Sequence, residues 1–417
     1  MSSGLDLQPS PLAPERFPVL PSVRGMMIAT YSLGLYKGRA RDDLLIVHFP
    51  DGAAAGGVFT RSATRSADVD WCREALASGH GRARALVVNA GNSNAFTGAA
   101  GLAKNRSTVA AVRQLTGCEP HEVFLAATGV IGEPLPYNFV ANGLAKAWPA
   151  LTTPDWERAA NAIRTTDTFA KAAGEIVDLN RRNVAIAGFA KGSGMIQPNM
   201  ATTLNYVFTD AALGPKVVQT LIARYCDLTY NCITVDGDTS TSDTLMLFAT
   251  GAAGGEPIED PADPRLANFS EALHRVLKDL ALQIVRDGEG ATKLIEIQVA
   301  GAASNLSAKT IAASVANSPL VKTALAAGDA NWGRIVMAVG KAGEPVERDA
   351  MTIHFGHHLV ARDGGRAPEY SEAQATAAVK GPEILIRIDV GVGQGRASVW
   401  TCDLTDGYVK INGAYRS

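Results

Sequence analysis

A glycine-rich, proline-punctuated connection between two apolar runs most constrains how this chain of 417 residues can fold. Residues 183–190 (NVAIAGFA) and the run from Leu204 to Phe208 both have the composition of buried strands. Between them lies KGSGMIQPNMATT, in which Gly192, Gly194 and Pro198 mark a turn. The pattern therefore predicts two strands joined by a strained turn.

The turn ends on a small residue and two hydroxyls, Ala201, Thr202 and Thr203. A strained turn would present the Ala201–Thr202 peptide to the Thr202 hydroxyl, whose attack shifts the acyl group from nitrogen to oxygen. Hydrolysis would leave Thr202 as a new N-terminus, with its α-amine as the base beside its own hydroxyl. The unperturbed pKa of such an amine is about 7.7–8.0, so it can accept a proton at neutral pH. Taken alone, this spacing of glycines is found more often in unreactive connections between strands than in self-cleaving turns, because Gly-x-Gly turns are common.

Length and pattern predict one large or two interlocked α/β domains, because 417 residues exceed a single small core. Strands are predicted at 85–89 and 294–299, a helix from about Pro215, and the longest helix over 269–287. That last helix would place Glu289 in the loop just beyond its C-terminus. The formal charge of −2 gives no basic field for a polyanion, so nucleic acid is not expected as a partner.

No run of 18 apolar residues occurs, so no transmembrane helix is expected. The polar, proline-rich residues 1–20 lack the apolar core of a signal peptide and are predicted to form an extended arm. The five cysteines are odd in number and scattered, which favours buried thiols in a reducing cytosol over a disulfide frame or a zinc site.

Two other motifs favour structural interpretations. Residues 391–395 (GVGQG) are followed by β-type residues, which predicts a hairpin between strands 384–390 and 396–401 instead of a dinucleotide site. His354, His357 and His358 lie on a strand-like segment without a carboxylate cluster, so no metal site is expected.

The chain resembles the ornithine acetyltransferase (glutamate N-acetyltransferase) family along nearly its whole length, with the matching segments in the family's order. The segments are VVNAGNSNAFTG at 87–98, ATGVIGEPLP at 127–136, TTDTFAK at 165–171, KGSGMIQPNMATTL at 191–204, ITVDGDTSTSDT at 233–244, RDGEGATK at 286–293, ANSPLVKTA at 316–324, NWGRIVMAVGKAG at 331–343 and CDLTDGYVKINGAYRS at 402–417. The resemblance implies an N-terminal-nucleophile-like layered α/β sandwich with a smaller C-terminal α/β subdomain. Two self-cleaved chains, 1–201 and 202–417, would form it jointly.

The resemblance also assigns the site. Thr202 would be the nucleophile, freed by cleavage between Ala201 and Thr202, and Thr128 with Gly129 would form the oxyanion hole. The substrate-contacting positions fall on Thr168, Lys191, Thr202, Glu289, Asn412 and Ser417. The acidic residues Asp236, Asp238 and Asp243 are expected to pack around the nucleophile instead of binding a cation. Thr203 departs from the family pattern, where methionine is usual.

The function implied is a ping-pong acetyl transfer from N-acetylornithine to glutamate through an ester on Thr202, within arginine biosynthesis. No metal and no cofactor are expected, and acetyl-CoA stays open as a second donor. The expected partners are the small substrates and the two cleaved chains themselves, as an α2β2 heterotetramer in the cytoplasm. Three alternatives stay open at this point: an amidohydrolase or aminopeptidase of the N-terminal-nucleophile class, an acetyltransferase paralogue with a different amine substrate, and a non-catalytic, uncleaved structural paralogue.

Overall fold

The computed structural model describes residues 8–36, 38, 40–197 and 203–414. The strands are β1 (Met27–Tyr31), β2 (Leu44–Phe59), β3 (Arg82–Asn92), β4 (Val123–Val130), β5 (Lys171–Asp178), β6 (Asn183–Lys191), β7 (Leu204–Thr209), β8 (Thr244–Ala249), β9 (Leu294–Ala302), β10 (Thr352–Phe355), β11 (His358–Arg362), β12 (Gly365–Arg366), β13 (Glu383–Asp389) and β14 (Gly395–Cys402). The helices are α1 (Ala67–Ser78), α2 (Gly98–Thr116), α3 (Phe139–Ala147), α4 (Trp156–Ala162), α5 (Pro215–Leu228), α6 (Ala267–Arg286), α7 (Asn305–Ala316), α8 (Pro319–Ala326), α9 (Trp332–Gly340), α10 (Glu372–Ala378) and α11 (Asp406–Ala414).

The first sheet has eight strands in the order β4-β3-β2-β8-β7-β6-β5, with β1 paired to β2. Strand β2 is long enough to pair with β1 and β3 through its first half and with β8 through its second half. The predicted pair around the glycine-rich turn is confirmed, since β6 and β7 are antiparallel neighbours with Lys191 opposite Leu204.

The two halves of this sheet face each other across a shared aromatic core. Phe49 of β2 packs on Phe248 of β8 with ring centroids 5.0 Å apart, and Phe124 of β4 meets Phe248 at 6.0 Å. Phe208 of β7 stacks on Phe248 at 5.6 Å. Since β4 and β7 lie in opposite halves of the strand order, the sheet encloses this core as a sandwich.

Helices cover both outer faces of the sandwich. Residues of α2 and α3 pack on β2, β3 and β4, whereas α5 and α6 pack on β6, β7 and β8. Within α6 the predicted apolar stripe is buried at Phe269, Leu273, Leu277 and Ile284, so the long helix is confirmed. The layered α/β sandwich expected of the chain is therefore confirmed.

A six-stranded sheet, in the order β12-β11-β10-β13-β9-β14, forms the smaller C-terminal subdomain. Its core is apolar and lies against α7, α8 and α9. The predicted hairpin across residues 391–395 is wrong: β13 and β14 both exist, but β9 lies between them and pairs with each. The alternating pattern located both strands but could not reveal a third strand, nearly a hundred residues earlier, that separates them.

The predicted N-terminal arm is confirmed for residues 8–20, and the predicted burial of the cysteines is confirmed. Residues 8–20 contain no strand or helix, and Phe17 and Leu20 pack on the aromatic core as an arm. The five cysteines are all buried, and none forms a disulfide within the described part of the chain. Among the described helices, none has the length and apolar composition needed to cross a bilayer.

Candidate active site

A pocket of about 160 Å³ lies where the ends of several elements of the first sheet meet the turn after α6. Five of the residues assigned by resemblance line it: Thr128, Gly129, Lys191, Glu289 and Asn412. The other lining residues are mostly small or hydroxylated, namely Ser93, Ile131, Thr165, Thr166, Gly194, Met195, Ser240, Thr241 and Ser242. The volume lies below the range of about 300–1,000 Å³ typical of drug-sized ligands, so it suits a molecule the size of one amino acid.

Thr128 and Gly129 lie at the end of β4, beside the parallel strand β3. Gly129 has φ of +126°, and a Cβ there would lie 2.5 Å from the carbonyl carbon of Gly91. Only glycine allows this close approach and this backbone conformation. The constraint holds the Thr128 hydroxyl and the local backbone at the wall of the pocket, where a hydroxyl and an N–H could stabilise an oxyanion.

Lys191 is the last residue of β6 and its side chain is 4% exposed. Its Nζ lies 3.9 Å from the Asp167 carboxylate. Burial lowers the pKa of Lys191 below its ordinary value, and the negative charge of Asp167 opposes that shift. The arrangement places a desolvated ammonium group where a carboxylate of a ligand could pair with it.

Glu289 follows the C-terminus of α6, as predicted, and its N–H donates to the Ser193 carbonyl at 2.9 Å. Its Oε2 accepts a hydrogen bond of 2.7 Å from Asn412 on α11. A Cβ on Gly194 would lie 2.4 Å from that same oxygen, so the turn needs glycine to admit the carboxylate. Burial raises the pKa of Glu289, while the hydrogen bond from Asn412 opposes the shift.

Two of the acidic residues expected to pack around the nucleophile hold its neighbours in the chain. Asp243 is fully buried, and its Oδ1 accepts the N–H of Thr203 at 2.7 Å. Asp236 accepts the N–H groups of Met195 and Ile196 at 2.6 and 2.8 Å, which shapes the turn before residue 198. Both carboxylates therefore hold described residues on either side of 198–202, and their packing around Thr202 itself stays a prediction.

Helix α11 carries Asn412 to the pocket through contacts near its start. The Tyr408 hydroxyl donates to Asp236 at 3.3 Å, and the Thr405 hydroxyl donates to the Gly290 carbonyl at 2.7 Å. Gly290, with φ of +74°, meets the backbone of Gly407 so closely that a Cβ would lie 2.7 Å from its carbonyl carbon. These contacts fix the helix over the turn that bears Glu289.

Thr168 does not line this pocket. Its hydroxyl and its N–H both donate to Asp287, and its Oγ1 also accepts the N–H of Ser10. From the same segment, the pocket is lined instead by Thr165 and Thr166. Ala201, Thr202 and Ser417, the remaining assigned residues, lie outside the described part of the chain.

A second cavity lies on the open face of the C-terminal sheet. It is a groove of about 560 Å³ lined by His354, Arg387, Arg396 and neighbouring residues. It is larger than the pocket but more open, and it contains none of the assigned residues. Among the described residues, no group of three histidine, cysteine or acidic side chains is arranged to hold a metal ion.

The sequence profile of the ArgJ family matches residues 27–417. The chain belongs to the ArgJ family. It is 54% identical over 412 residues to the arginine biosynthesis bifunctional protein ArgJ of Brucella suis biovar 1 (strain 1330), with 98% of this chain and 99% of that protein covered. The protein of the same name from Rhizobium meliloti (strain 1021) is 54% identical over 411 residues, with the same coverage. Among solved structures, the crystal structure of ArgJ from Bacillus halodurans is 41% identical, covers 50% of this chain and 98% of its own, and has a TM-score of 0.48.

Membership of the ArgJ family confirms the resemblance, but sequence reasoning missed several lining residues. Ser93 comes from the GNSN segment after β3, and Ser240, Thr241 and Ser242 come from the run before β8. A signal existed, since both are hydroxyl-rich runs at strand ends. The buried Asp167, between the threonines of TTDT, was also missed. It could have been named as a candidate, because an acidic residue can pair with the assigned Lys191.

Proposed function

We propose that the pocket lined by Thr128, Lys191 and Glu289 is where this ArgJ enzyme holds its substrates, and that the reaction passes through an acetyl ester on Thr202. The chain is an acetyltransferase of arginine biosynthesis, which moves the acetyl group of N-acetylornithine to glutamate. The observation that carries the site is that five residues from four distant segments line one pocket. Those segments are 128–129, Lys191, Glu289 and Asn412.

The charges of the pocket match an amino-acid backbone. Lys191 would pair with the α-carboxylate, a group that N-acetylornithine and glutamate share. Glu289, oriented by Asn412 at 2.7 Å, would hold an ammonium group. Both side chains are largely buried, so each charge is weakly screened and favours a ligand that supplies the opposite one.

The acyl chemistry would use Thr202 in two steps. Its hydroxyl attacks the acetyl carbonyl while its α-amine takes the hydroxyl proton, and ornithine leaves with a proton on its amine. The amine of glutamate then attacks the ester, and the acetyl group passes to it as an amide. Thr128 and Gly129 would stabilise the oxyanion of each step, a contribution of about 2.7–4 kcal/mol for one good donor.

The fixed surroundings of Thr203 support Thr202 as the nucleophile. The N–H of Thr203 is held by Asp243 at 2.7 Å, and its carbonyl accepts from the N–H of Thr244 at 2.9 Å. Since β7 begins at Leu204, opposite the pocket residue Lys191, the backbone directly after residue 202 is anchored beside the pocket. A nucleophile there would be joined to a rigid element, as acyl transfer requires.

The mature protein would consist of chains 1–201 and 202–417, assembled as α2β2 in the cytoplasm, with acetyl-CoA as a further candidate donor. No cofactor is needed, because the exchange replaces one amide by another. Strands β6 and β7 belong to different chains in this scheme and remain paired over six residues, from Ile186 to Lys191. That pairing would hold the chains together without a covalent link.

Mass spectrometry tests the proposal in one experiment. The purified protein should give two chains whose junction is Ala201–Thr202, instead of one chain of 43.6 kDa. Brief exposure to N-acetylornithine should add one acetyl group to Thr202, and glutamate should remove it. Thr202→Ala should remain uncleaved and inactive, whereas Thr203→Val, a matched change at the adjacent threonine, should still be cleaved. An uncleaved chain with full transferase activity would refute the mechanism.

Measurement of the acetyl acceptor separates transfer from hydrolysis. With N-acetylornithine and glutamate present, N-acetylglutamate should form in step with ornithine. If acetate were released at the same rate with and without glutamate, water would be the acceptor and the enzyme would act as an amidohydrolase.

A further inference from the structure

A chain of buried charges extends from the pocket into the interior. Lys171, the first residue of β5, is fully buried, and its Nζ contacts Asp167 at 2.7 Å and also contacts Asp287. On the other side of Asp167 lies Lys191, at 3.9 Å. The order is Asp287, Lys171, Asp167, Lys191, so negative and positive groups alternate and their charges cancel when all four are ionised.

Asp167 is the most constrained of the four. Its Oδ1 accepts from the N–H of Gly192 at 2.6 Å as well as from Lys171, and its Oδ2 accepts from the N–H of Thr165 at 3.0 Å. Burial raises the pKa of Asp167, but the positive charges of Lys171 and Lys191 lower it by more. The pKa of this carboxyl therefore lies well below the usual range for aspartate. The carboxylate joins two segments that line the pocket, the one bearing Thr165 and the one bearing Lys191.

We infer that Asp167 is a positioning residue of the active site, which keeps Lys191 charged and fixes its ammonium group for the carboxylate of the substrate. The inference rests on the proposed function, which gives Lys191 that ligand. A lysine buried without a counter-ion loses its proton, and a neutral amine would not bind a carboxylate. Lys171 holds Asp167 and is itself held by Asp287, so these two residues act on the substrate only through Asp167.

The charged groups that face Lys191 decide the sign of the pH dependence. Asp167, Glu289 and Asp243 favour its charged form, whereas burial and the nearby Lys171 disfavour it. In Asp167→Asn the largest favourable charge is removed, so the pKa of Lys191 should fall further. The substrate carboxylate is bound below that pKa and is released as pH rises through it, so the loss should be greatest at alkaline pH.

The experiment compares Asp167→Asn with the unaltered enzyme across the range of pH in which both remain folded and active. KM for glutamate should rise in the variant by about tenfold per pH unit above the new pKa, and should approach the unaltered value at the acidic end. The kcat at saturating glutamate should change less than KM. Asparagine keeps the shape and acceptor oxygen of aspartate, and Lys171 keeps Asp287, so no carboxylate loses its partner.

A matched control is available at the opposite end of β6. Asp210 is also buried, pairs with Arg24 at 2.6 Å and accepts the N–H of Ala185 near the start of β6, at the opposite end from Lys191. Asp210→Asn removes a buried carboxylate of the same kind and should leave the pH profile of KM unchanged. If Asp167→Asn and Asp210→Asn gave the same profile, Asp167 would have only a structural role and the inference would be overturned.

NMR of the mature protein with 13C-labelled lysine tests the inference without substrate, because it follows the titration of Lys191 directly. The Lys191 signal, identified by its loss in Lys191→Met, should titrate at lower pH in Asp167→Asn. In the unaltered protein labelled instead with 13C-aspartate, the Asp167 carboxyl carbon should shift as Lys191 titrates, which provides a test even if the variant does not fold; absence of that shift would overturn the inference. If the titration moves as expected but Lys191→Met binds glutamate normally, the substrate contact proposed for Lys191 fails, and the positioning role of Asp167 fails with it. If the titration does not move but Lys191→Met loses glutamate binding, the proposed contact stands and the inference alone is overturned.

Discussion

The two sheets of the molecule bury their charged groups in different ways. At the end of β6, the eight-stranded sheet buries Lys191 beside Asp167, with Asp243 nearby. The six-stranded sheet has an apolar core, and its buried Lys322 bonds to neutral acceptors, the Thr401 hydroxyl at 2.7 Å and the Cys402 carbonyl. Among the described residues, the buried carboxylate–lysine pairs belong to the first sheet and its helices, beside the pocket and at Lys104–Asp68, whereas the C-terminal subdomain uses hydrogen bonds that any structural core can use.

This difference between the two sheets indicates where the charges needed for function are kept at a cost in stability. A buried ion pair costs desolvation that its Coulomb energy often only balances, so apolar side chains would serve a purely structural core as well or better. Two of the charged residues around the first sheet, Lys191 and Glu289, border the pocket, where the proposed function has them pair with the charges of the substrate. The second sheet instead supports the site: its Asp403 accepts from Thr292 at 2.8 Å, just before α11 begins.

Removing one member of the charged chain should have the largest effect. Lys171→Met leaves Asp167 and Asp287 buried without their shared partner, and we expect a loss of about 3–5 kcal/mol in the free energy of unfolding. Lys322→Met removes a buried lysine from the C-terminal subdomain but leaves only neutral acceptors, so the expected loss is about 1–3 kcal/mol. Urea denaturation of the two variants measures the difference. Equal losses would show that the two sheets do not differ in the way proposed.

Removing the proposed oxyanion donor should affect catalysis and spare the fold. For Thr128→Ala we expect kcat to fall by about 10²–10³, which corresponds to about 2.7–4 kcal/mol, with the unfolding curve nearly unchanged. The control is Thr310→Ala on α7 in the C-terminal subdomain, where the hydroxyl donates to the Leu306 carbonyl at 3.0 Å. A fall in kcat below threefold for Thr128→Ala would remove that residue from the oxyanion hole.

The sequence predicted the elements well where the pattern was local. The stripe of α6, the strands on either side of the glycine-rich turn and the position of Glu289 beyond a helix end all follow from spacing within twenty residues. The shared pocket of Thr128, Lys191, Glu289 and Asn412 came from family resemblance alone. Nothing in the local spacing brings those segments together, because it depends on how the sheet folds about β2.

Where the sequence-based predictions failed or overlooked a residue, the structure depends on contacts between distant parts of the chain. The hairpin expected at 391–395 is interrupted by β9, a strand from far earlier in the chain. Thr168 was assigned by resemblance and not by spacing; its hydroxyl donates to Asp287, more than a hundred residues away, whereas Thr165 and Thr166 line the pocket. The role of Asp167 was likewise invisible, because its partners Lys171 and Lys191 are brought together only by the pairing of β5 with β6.

The pH dependence of KM should distinguish Glu289 from an exposed carboxylate. Burial raises the pKa of Glu289, so its charged form is lost at a higher pH than for an ordinary glutamate. Binding of an ammonium group is present above that pKa and is lost as pH falls through it, with KM for N-acetylornithine rising about tenfold per pH unit below it. Glu289→Gln should raise KM and remove this acidic limb. An unchanged acidic limb in Glu289→Gln would assign the titration to another group.

The smallest effect is expected in the groove of the C-terminal sheet, although its volume of about 560 Å³ exceeds that of the pocket. Arg396 lines the groove and is exposed, so its charge is screened by solvent, in contrast to the buried charge of Lys191. We expect Arg396→Ala to change the free energy of unfolding by less than about 0.5 kcal/mol and to leave KM for both substrates unchanged. Steady-state kinetics with N-acetylornithine and glutamate check this. A marked rise in either KM would show that the open sheet face takes part in substrate binding, and the contrast between a charged, functional sheet and a supporting one would no longer hold.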